Sequence, residues 1–182
     1  MLVLSRLHPN KGLELFVPVF LEATRSEEFR HWRLVVAGDG NPHYVARLKR
    51  LVADHQGNGR VLFTGWLNGA VKSSALLGAA LLAMPSYHEN FCLSVAEALA
   101  CAVPVLVSRQ MALSRLVEDA GAGWVTNLEA AALRRTLMDA LQDQSARLAR
   151  GAAGRALARS RFNLTAVAEQ LHHLYESITA KQ

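Results

Sequence analysis

The fold is decided by the stretch from Leu81 to Leu99, which reads Leu81-Leu82-Ala83-Met84-Pro85-Ser86-Tyr87-His88-Glu89-Asn90-Phe91-Cys92-Leu93-Ser94-Val95-Ala96-Glu97-Ala98-Leu99. A short apolar run, a polar turn and an apolar helical pattern follow one another without interruption. The same succession recurs along the 182 residues. Strands that alternate with helices form a parallel sheet with helices on both faces. The sequence therefore predicts a Rossmann-like three-layer αβα domain with about six parallel strands.

Hydrophobic periodicity gives the expected elements. We expect strands at 3–4, 33–37, 61–65, 80–84, 104–107 and 123–125, and helices at 13–23, 42–55, 71–78, 91–101 and 113–119. Pro18 is expected to kink the first helix. From residue 129 to about residue 180 the pattern is helical, with breaks expected near Gly151 and at Phe162-Asn163. These last segments are extra helices beyond the sheet.

Bulk composition excludes several classes of protein. Half of the residues are apolar and 19% are charged, as in soluble globular proteins. No apolar run is long enough for a membrane span, and the start does not resemble a secretory signal. Cys92 and Cys101 lack metal-site spacing, so we expect reduced thiols in a cytoplasmic protein. The net charge of +5 allows a nucleic-acid partner, but the arginines spread along the C-terminal helices, from Arg134 to Arg161, have no aromatic residues between them, so none is expected.

Ligands of parallel sheets bind beyond the carboxyl ends of the strands, so the loops there hold the candidate residues. Arg6 and Lys11 flank the first such turn, where Gly12 opens the helix, and two cations suit a diphosphate. They could equally be two solvated surface charges. Gly38 belongs to a tight turn that lets a ligand approach the backbone.

Two further loops contribute an aromatic residue and two acids. In Gly65-Trp66-Leu67 the tryptophan could form the wall of a base site or lie in the core. Glu89 precedes the turn quoted above, and Glu97 lies inside an otherwise apolar helix, where a carboxylate needs a partner. The start of that helix offers free N–H groups for a phosphate, and the acids offer acceptors for hydroxyls.

Four motifs in this order carry a family resemblance that covers essentially the whole chain. They are Ser5-Arg6-Leu7-His8-Pro9-Asn10-Lys11-Gly12, Leu34-Val35-Val36-Ala37-Gly38-Asp39-Gly40, Val61-Leu62-Phe63-Thr64-Gly65, and Glu89 to Cys92 continued by Glu97-Ala98-Leu99-Ala100-Cys101-Ala102-Val103-Pro104-Val105. The chain resembles the C-terminal, nucleotide-sugar-binding domain of the family 4 retaining glycosyltransferases, which have the GT-B fold. The resemblance implies a single donor-binding domain over 1–182, from an enzyme that uses a UDP-, GDP- or ADP-sugar.

The resemblance also implies roles for individual residues. Arg6 and Lys11 would hold the donor diphosphate, Glu97 would bind the ribose hydroxyls, and Glu89, the candidate catalytic residue, would contact hydroxyls of the transferred sugar. The N–H groups of Phe91, Cys92 and Leu93, in the loop that includes Asn90, would meet the distal phosphate and the sugar. Leu67 would lie against the base, with Lys72 nearby. Family members need no metal or other cofactor, in line with the lack of an Asp-x-Asp motif in this sequence.

The sequence departs from the family pattern in two respects. Cys92 and Ala102 stand where the family usually has glycine, and Cys92 puts a side chain where the backbone approaches the phosphate. The family's N-terminal acceptor domain is not found, so we expect no transfer by this chain alone, and we expect self-association through the last helix. The parent enzyme would work on a glycan or lipid-linked acceptor at the inner face of a membrane. A non-catalytic nucleotide-binding module is the alternative.

Overall fold

The computed structural model describes residues 1–179 and contains six strands and eight α-helices in that range. The strands are β1 Leu2–Leu4, β2 Leu34–Ala37, β3 Val61–Gly65, β4 Leu82–Met84, β5 Val105–Ser108 and β6 Gly123–Thr126. The helices are α1 Leu13–Ala23, α2 Pro42–Asp54, α3 Gly69–Leu77, α4 Leu93–Ala100, α5 Ser114–Asp119, α6 Ala130–Gln142, α7 Gln144–Arg161 and α8 Leu164–Thr179. A 3-10 turn, Pro9–Lys11, lies between β1 and α1. The expected end of the last helix, near Ala180, lies outside the described residues.

All six strands form one parallel sheet in the order β3-β2-β1-β4-β5-β6. The chain first adds strands on one side of β1 and then continues on the other side with β4. The loops after β1 and β4 therefore separate to opposite faces and leave a crevice between them, which is where parallel sheets bind ligands. The predicted Rossmann-like fold is confirmed.

Two apolar cores cover the two faces of the sheet. Because successive side chains of a strand point to opposite faces, Val3 belongs to the core with α1, α2 and α6. Its neighbours Leu2 and Leu4 belong to the core with α4, α5 and α7. Strands that are buried on both faces explain why the sequence shows continuous apolar runs instead of alternation.

The predicted break at Gly151 is wrong, because α7 runs through this residue. Gly151 is buried, and a Cβ atom there would overlap the carbonyl oxygen of Ala102. The glycine therefore allows α7 to pack closely on the loop after α4. The real break is at Asp143, whose carboxylate accepts a hydrogen bond from the Ala146 N–H and caps α7. Pro18 lies within α1, which continues past it.

Two glycines bring the ligand-side loops together. Gly12 has φ 67°, and a Cβ atom there would overlap the Pro85 carbonyl oxygen. Gly38 has φ 142°, and a Cβ atom there would overlap the Ser5 carbonyl oxygen. Other residues would be strained at both positions and would push the loops apart. The loop after β1 is thus held against the loops after β2 and β4.

The last helix, α8, packs against α7 and presents an apolar stripe at the surface. Phe162 and Asn163 separate the two helices, as the sequence predicts. Within residues 1–179, no helix combines the length and hydropathy needed to cross a bilayer.

Candidate functional site

The loops after β1, β2 and β3 meet the start of α4 around a pocket of about 180 Å³. Six of the residues predicted from the sequence line it: Arg6, Gly38, Leu67, Lys72, Leu93 and Glu97. The remaining lining residues are Leu4, Ser5, Ala37, Trp66 and Ser94. This pocket is smaller than the roughly 300–1,000 Å³ of typical small-molecule sites. It therefore has room for part of a nucleotide-sugar-sized ligand, and the rest must lie outside it.

The carboxylate of Glu97 is held by Lys72 across the pocket. The Lys72 Nζ donates to Glu97 Oε1 at 2.6 Å, and about a third of each side chain is exposed. This pairing resolves the problem of an acid inside an apolar helix, because the charge has a partner and reaches solvent. Glu97 lines the pocket, and among the described residues its second carboxylate oxygen has no hydrogen-bond donor.

Lys11 and Glu89 form a second ion pair beside the pocket. The Lys11 Nζ donates to both carboxylate oxygens of Glu89, at 2.9 and 2.7 Å, and the two side chains are only 13% and 21% exposed. The loops that carry them are fixed by backbone bonds: the Tyr87 N–H donates to the Asn10 carbonyl, and the Ala112 N–H donates to the Glu89 carbonyl. Lys11, Gly12 and Glu89 thus form a cluster next to the pocket, outside its lining.

The start of α4 lies between the pocket and the Lys11–Glu89 pair. Cys92 is the N-cap residue, with φ 60° and no side-chain cap. Within the described residues, no carbonyl or side chain accepts from the N–H groups of Phe91, Cys92 or Leu93. Unpaired N–H groups at a helix start bind anions well. Asn90 is exposed in the same loop.

The thiol of Cys92 is a poor nucleophile in this environment. Burial raises its pKa, and this outweighs the hydrogen bonds to the sulfur that favour the thiolate. The sulfur lies 3.4 Å from Ser94 Oγ. The thiol is therefore protonated at neutral pH, and its main effect is to fill space at the start of α4.

Arg6 differs from the two lysines because it has no partner among the described residues. It is exposed at the edge of the pocket, and in residues 1–179 no ion pair or side-chain hydrogen bond involves it. Trp66 is 69% exposed and forms a wall of the pocket, so it is not a core residue. Its indole offers a flat apolar surface at the mouth.

Sequence reasoning missed two serines of the pocket. Ser5 Oγ is buried and has no hydrogen-bond partner in the described part of the chain. The buried hydroxyls of Tyr44 and Ser86 also lack a partner among the described residues, but of the three only Ser5 lines the pocket; such groups call for a partner outside the chain, water or a ligand. Ser94 lies in the first turn of α4. Only their positions in the sequence could have identified these serines as pocket residues: Ser5 directly follows β1, and Ser94 follows the first residue of α4.

Comparisons with known proteins agree with this geometry. The family model described as "Glycosyl transferases group 1" matches residues 1–157. A GDP-mannose-dependent monoacylated alpha-(1-6)-phosphatidylinositol monomannoside mannosyltransferase from Corynebacterium glutamicum is 28% identical over 180 residues, which is 95% of this chain and 46% of that protein. The chain spans less than half the length of the curated relatives it matches.

Solved structures show the same fold. The sucrose-phosphate synthase from Thermosynechococcus elongatus matches with a TM-score of 0.82 at 28% identity, over 100% of this chain and 45% of the synthase. The Anabaena protein HepE in complex with UDP-glucose matches with a TM-score of 0.83 at 22% identity, over 97% of this chain and 48% of HepE.

Proposed function

Because this chain belongs to the group 1 glycosyl transferases, we propose that it is the donor-binding part of a glycosyltransferase. It would bind a UDP-, GDP- or ADP-sugar, and the sugar would pass to a glycan or a lipid-linked acceptor. The named relatives support a nucleoside diphosphate sugar as the donor: one uses GDP-mannose and another is in complex with UDP-glucose.

The pocket is the observation that carries this proposal. It combines a flat apolar wall at Trp66 and Leu67, a carboxylate at Glu97 and an orphaned hydroxyl at Ser5. A base would lie on the wall, and its ribose hydroxyls would donate to Glu97. A bound ligand would also give Ser5 Oγ the partner that it lacks. The small pocket then holds the nucleoside, while the diphosphate and the sugar extend toward Lys11 and Glu89.

The positive groups for the diphosphate come from three places. Among the described residues, Arg6 is unpaired at the pocket edge, Lys11 lies near the start of α4, and that helix start has N–H groups without an acceptor. These groups act on a leaving diphosphate as a metal would, by stabilising its developing charge. Within residues 1–179, no three His, Cys, Asp or Glu side chains are grouped so as to hold a metal ion. Metal-independent transfer and retention of configuration both follow from the family resemblance, and we include both in the proposal.

Glu89 would act on the transferred sugar. Lys11 holds it in a largely buried ion pair near Cys92 at the start of α4. From there its carboxylate can accept hydrogen bonds from sugar hydroxyls and stabilise positive charge at the sugar in the transition state. Acceptor binding and the completed cleft would come from a second domain, so we propose that residues 1–182 bind the donor without transferring sugar.

A thermal-shift panel tests the donor site. UDP, GDP, ADP and their sugars at millimolar concentration, in EDTA, should raise the melting temperature for at least one base. A ligand at a hundredfold excess over Kd stabilises the folded state by ~2.7 kcal/mol. No shift with any of the three would refute the donor site. Binding that is never followed by turnover, even with an acceptor domain added in trans, would instead indicate a nucleotide-binding module without catalysis.

A further inference from the structure

The start of α4 places a thiol and a hydroxyl side by side. Cys92, the N-cap residue, has its sulfur 3.4 Å from the Oγ atom of Ser94, the second residue of the helix. Cys92 has φ 60°, a left-handed conformation that glycine adopts freely and other residues adopt only under strain. Strain of this kind is typical of functional sites. The contacts of the Cys92 side chain therefore indicate what offsets the strain.

This thiol–hydroxyl pair, Cys92 and Ser94, joins the two parts of the proposed donor site. Ser94 lines the pocket. Cys92 lies outside the lining, but its sulfur is close enough to Lys11 and Glu89 to feel their charges. The space that the Cys92 side chain fills thus lies between the pocket and the Lys11–Glu89 ion pair. A diphosphate that extends from the pocket toward Lys11 passes the thiol–hydroxyl pair.

The hydroxyl of Ser94 is not used by the helix itself. A serine near the start of a helix commonly bonds to the backbone of the first turn. Within residues 1–179, the one hydrogen-bond partner of the Ser94 hydroxyl is instead the sulfur of Cys92. A hydroxyl has one proton to donate and two lone pairs with which to accept, whereas sulfur is a weak partner in either role. Ser94 therefore has hydrogen-bonding capacity left for a ligand in the pocket.

The protonated thiol can support such a contact. Burial raises the pKa of Cys92 and outweighs the effect of Lys11, so the thiol keeps its proton at neutral pH. Without a ligand, either atom of the thiol–hydroxyl pair can donate to the other. A phosphate oxygen is a stronger acceptor than sulfur, so a phosphate beside Ser94 would take the hydroxyl donation. The S–H of Cys92 would then donate to a lone pair of Ser94 Oγ.

We propose that Ser94 is a further phosphate-binding residue and that Cys92 positions its hydroxyl, in a chain of hydrogen bonds from thiol to hydroxyl to a phosphate oxygen of the donor. The inference rests on the proposed function, because it requires a diphosphate at the start of α4. Hydrogen bonds in a chain polarise one another, so the thiol strengthens the hydroxyl as a donor. Every proton stays on its own atom. Cys92 acts through Ser94 and is a positioning residue.

Titration calorimetry of residues 1–182 tests the role of Ser94. The probe is the member of UDP, GDP and ADP that binds the unmodified chain most tightly, compared with its bare nucleoside. Ser94→Ala removes a hydrogen bond to a charged group, so diphosphate binding should weaken about tenfold or more. Nucleoside binding should change less than about twofold. The matched control is Ser145→Ala, the same change at the second residue of α7, which should leave both affinities unchanged.

A double-mutant cycle measures the contribution of the thiol. Cys92→Ala should weaken diphosphate binding about three- to tenfold when Ser94 is present and less than about twofold in the Ser94→Ala background, because their coupling is then already lost. Cys92→Ser keeps a donor at the same position and should restore most of the affinity. Cys101→Ala is the control, since Cys101 is also a half-buried free thiol but lies at the other end of α4.

The remaining outcomes overturn the proposal in distinguishable ways. Equal diphosphate affinity of Ser94→Ala and Ser145→Ala would show that Ser94 is not a phosphate ligand. An equal effect of Cys92→Ala in both backgrounds, or no recovery with Cys92→Ser, would show that the thiol only fills space. Equal losses for nucleoside and diphosphate would indicate a disturbed pocket in place of a lost phosphate contact. If the unmodified chain binds none of the three diphosphates, the donor site itself is refuted, and the phosphate role of Ser94 with it.

Discussion

Arg6 and Lys11 are predicted to bind the same diphosphate, but the structure gives them different starting states. Arg6 is exposed and unpaired in the described part of the chain, whereas Lys11 donates to both oxygens of Glu89 in a half-buried pair. Replacing each by alanine should therefore weaken diphosphate binding for different reasons. Arg6→Ala removes a cation that is free to act. Lys11→Ala also leaves the Glu89 carboxylate unpaired beside the phosphates.

The size of each loss follows from these contacts. A charge-assisted hydrogen bond contributes roughly 1.5–3 kcal/mol, so Arg6→Ala should weaken diphosphate binding about ten- to hundredfold. For Lys11→Ala we expect at least as large a loss, because repulsion by Glu89 adds to the missing attraction. Glu89→Gln alone should leave diphosphate binding unchanged or tighter, because it releases Lys11. The double variant Lys11→Ala/Glu89→Gln should recover part of the affinity for the diphosphate that Lys11→Ala loses.

Titration calorimetry of each variant with the nucleoside diphosphate and with the bare nucleoside provides the measurement. The nucleoside lacks phosphates, so its affinity should change less than about threefold in all four variants. Arg135→Ala, an exposed arginine far along the sequence on α6, is the control for net charge. If nucleoside and diphosphate lose affinity equally, or if Arg135→Ala has the same effect as Arg6→Ala, neither cation is a phosphate ligand.

The other predictions concern the acids, the packing of α7 and the thiol. Glu97→Gln should weaken binding of ribonucleotides more than of 2′-deoxyribonucleotides in calorimetry, while Glu89→Gln should weaken only the sugar-bearing donor; the reverse pattern would exchange the two roles. Gly151→Ala should destabilise the fold by about 1–3 kcal/mol in urea unfolding, because the new Cβ overlaps the Ala102 carbonyl. Ala102→Gly should stabilise the fold by about 0.5–1 kcal/mol, since residue 102 has φ 59°. An unchanged urea midpoint would show that the backbone of Ala102 is not strained. Burial raises the Cys92 pKa, so alkylation of the Cys92 thiol at pH 8, measured by peptide mass spectrometry, should be slower than alkylation of a free thiol. The rate should increase as the pH rises further. Rapid alkylation at pH 7 would show an activated thiolate.

The sequence was sufficient for the sheet because each buried parallel strand leaves a local signal, an apolar run between turn residues. It was misleading at Gly151, where a glycine that looks like a helix break serves instead for close packing on Ala102. That contact joins residues distant in sequence, so no local pattern contains it. The exposure of Trp66 was likewise undecidable, since a tryptophan after a strand has the same local pattern in a core and at a pocket mouth.

The site could be predicted as a set of residues but not as a set of pairs. Sequence position placed Lys11, Lys72, Glu89 and Glu97 at the ligand side of the sheet, because every loop after a parallel strand ends there. Which lysine meets which glutamate depends on how the loops pack, across 78 residues in one pair and 25 in the other. The orphaned hydroxyl of Ser5 is also a property of the packed state alone.

The two lysine–glutamate pairs have a consequence for how fast a donor arrives. Because each pair is neutral as a unit, three cations and two carboxylates leave the empty site with one net positive charge, on Arg6. These side chains therefore attract an approaching diphosphate only weakly, and the salt dependence of its encounter rate should come from charges elsewhere on a chain of net charge +5. The stronger attraction develops only after contact, when the phosphates share or displace the carboxylate at Lys11. Selectivity for diphosphates should then reside in slow dissociation, with little contribution from fast capture.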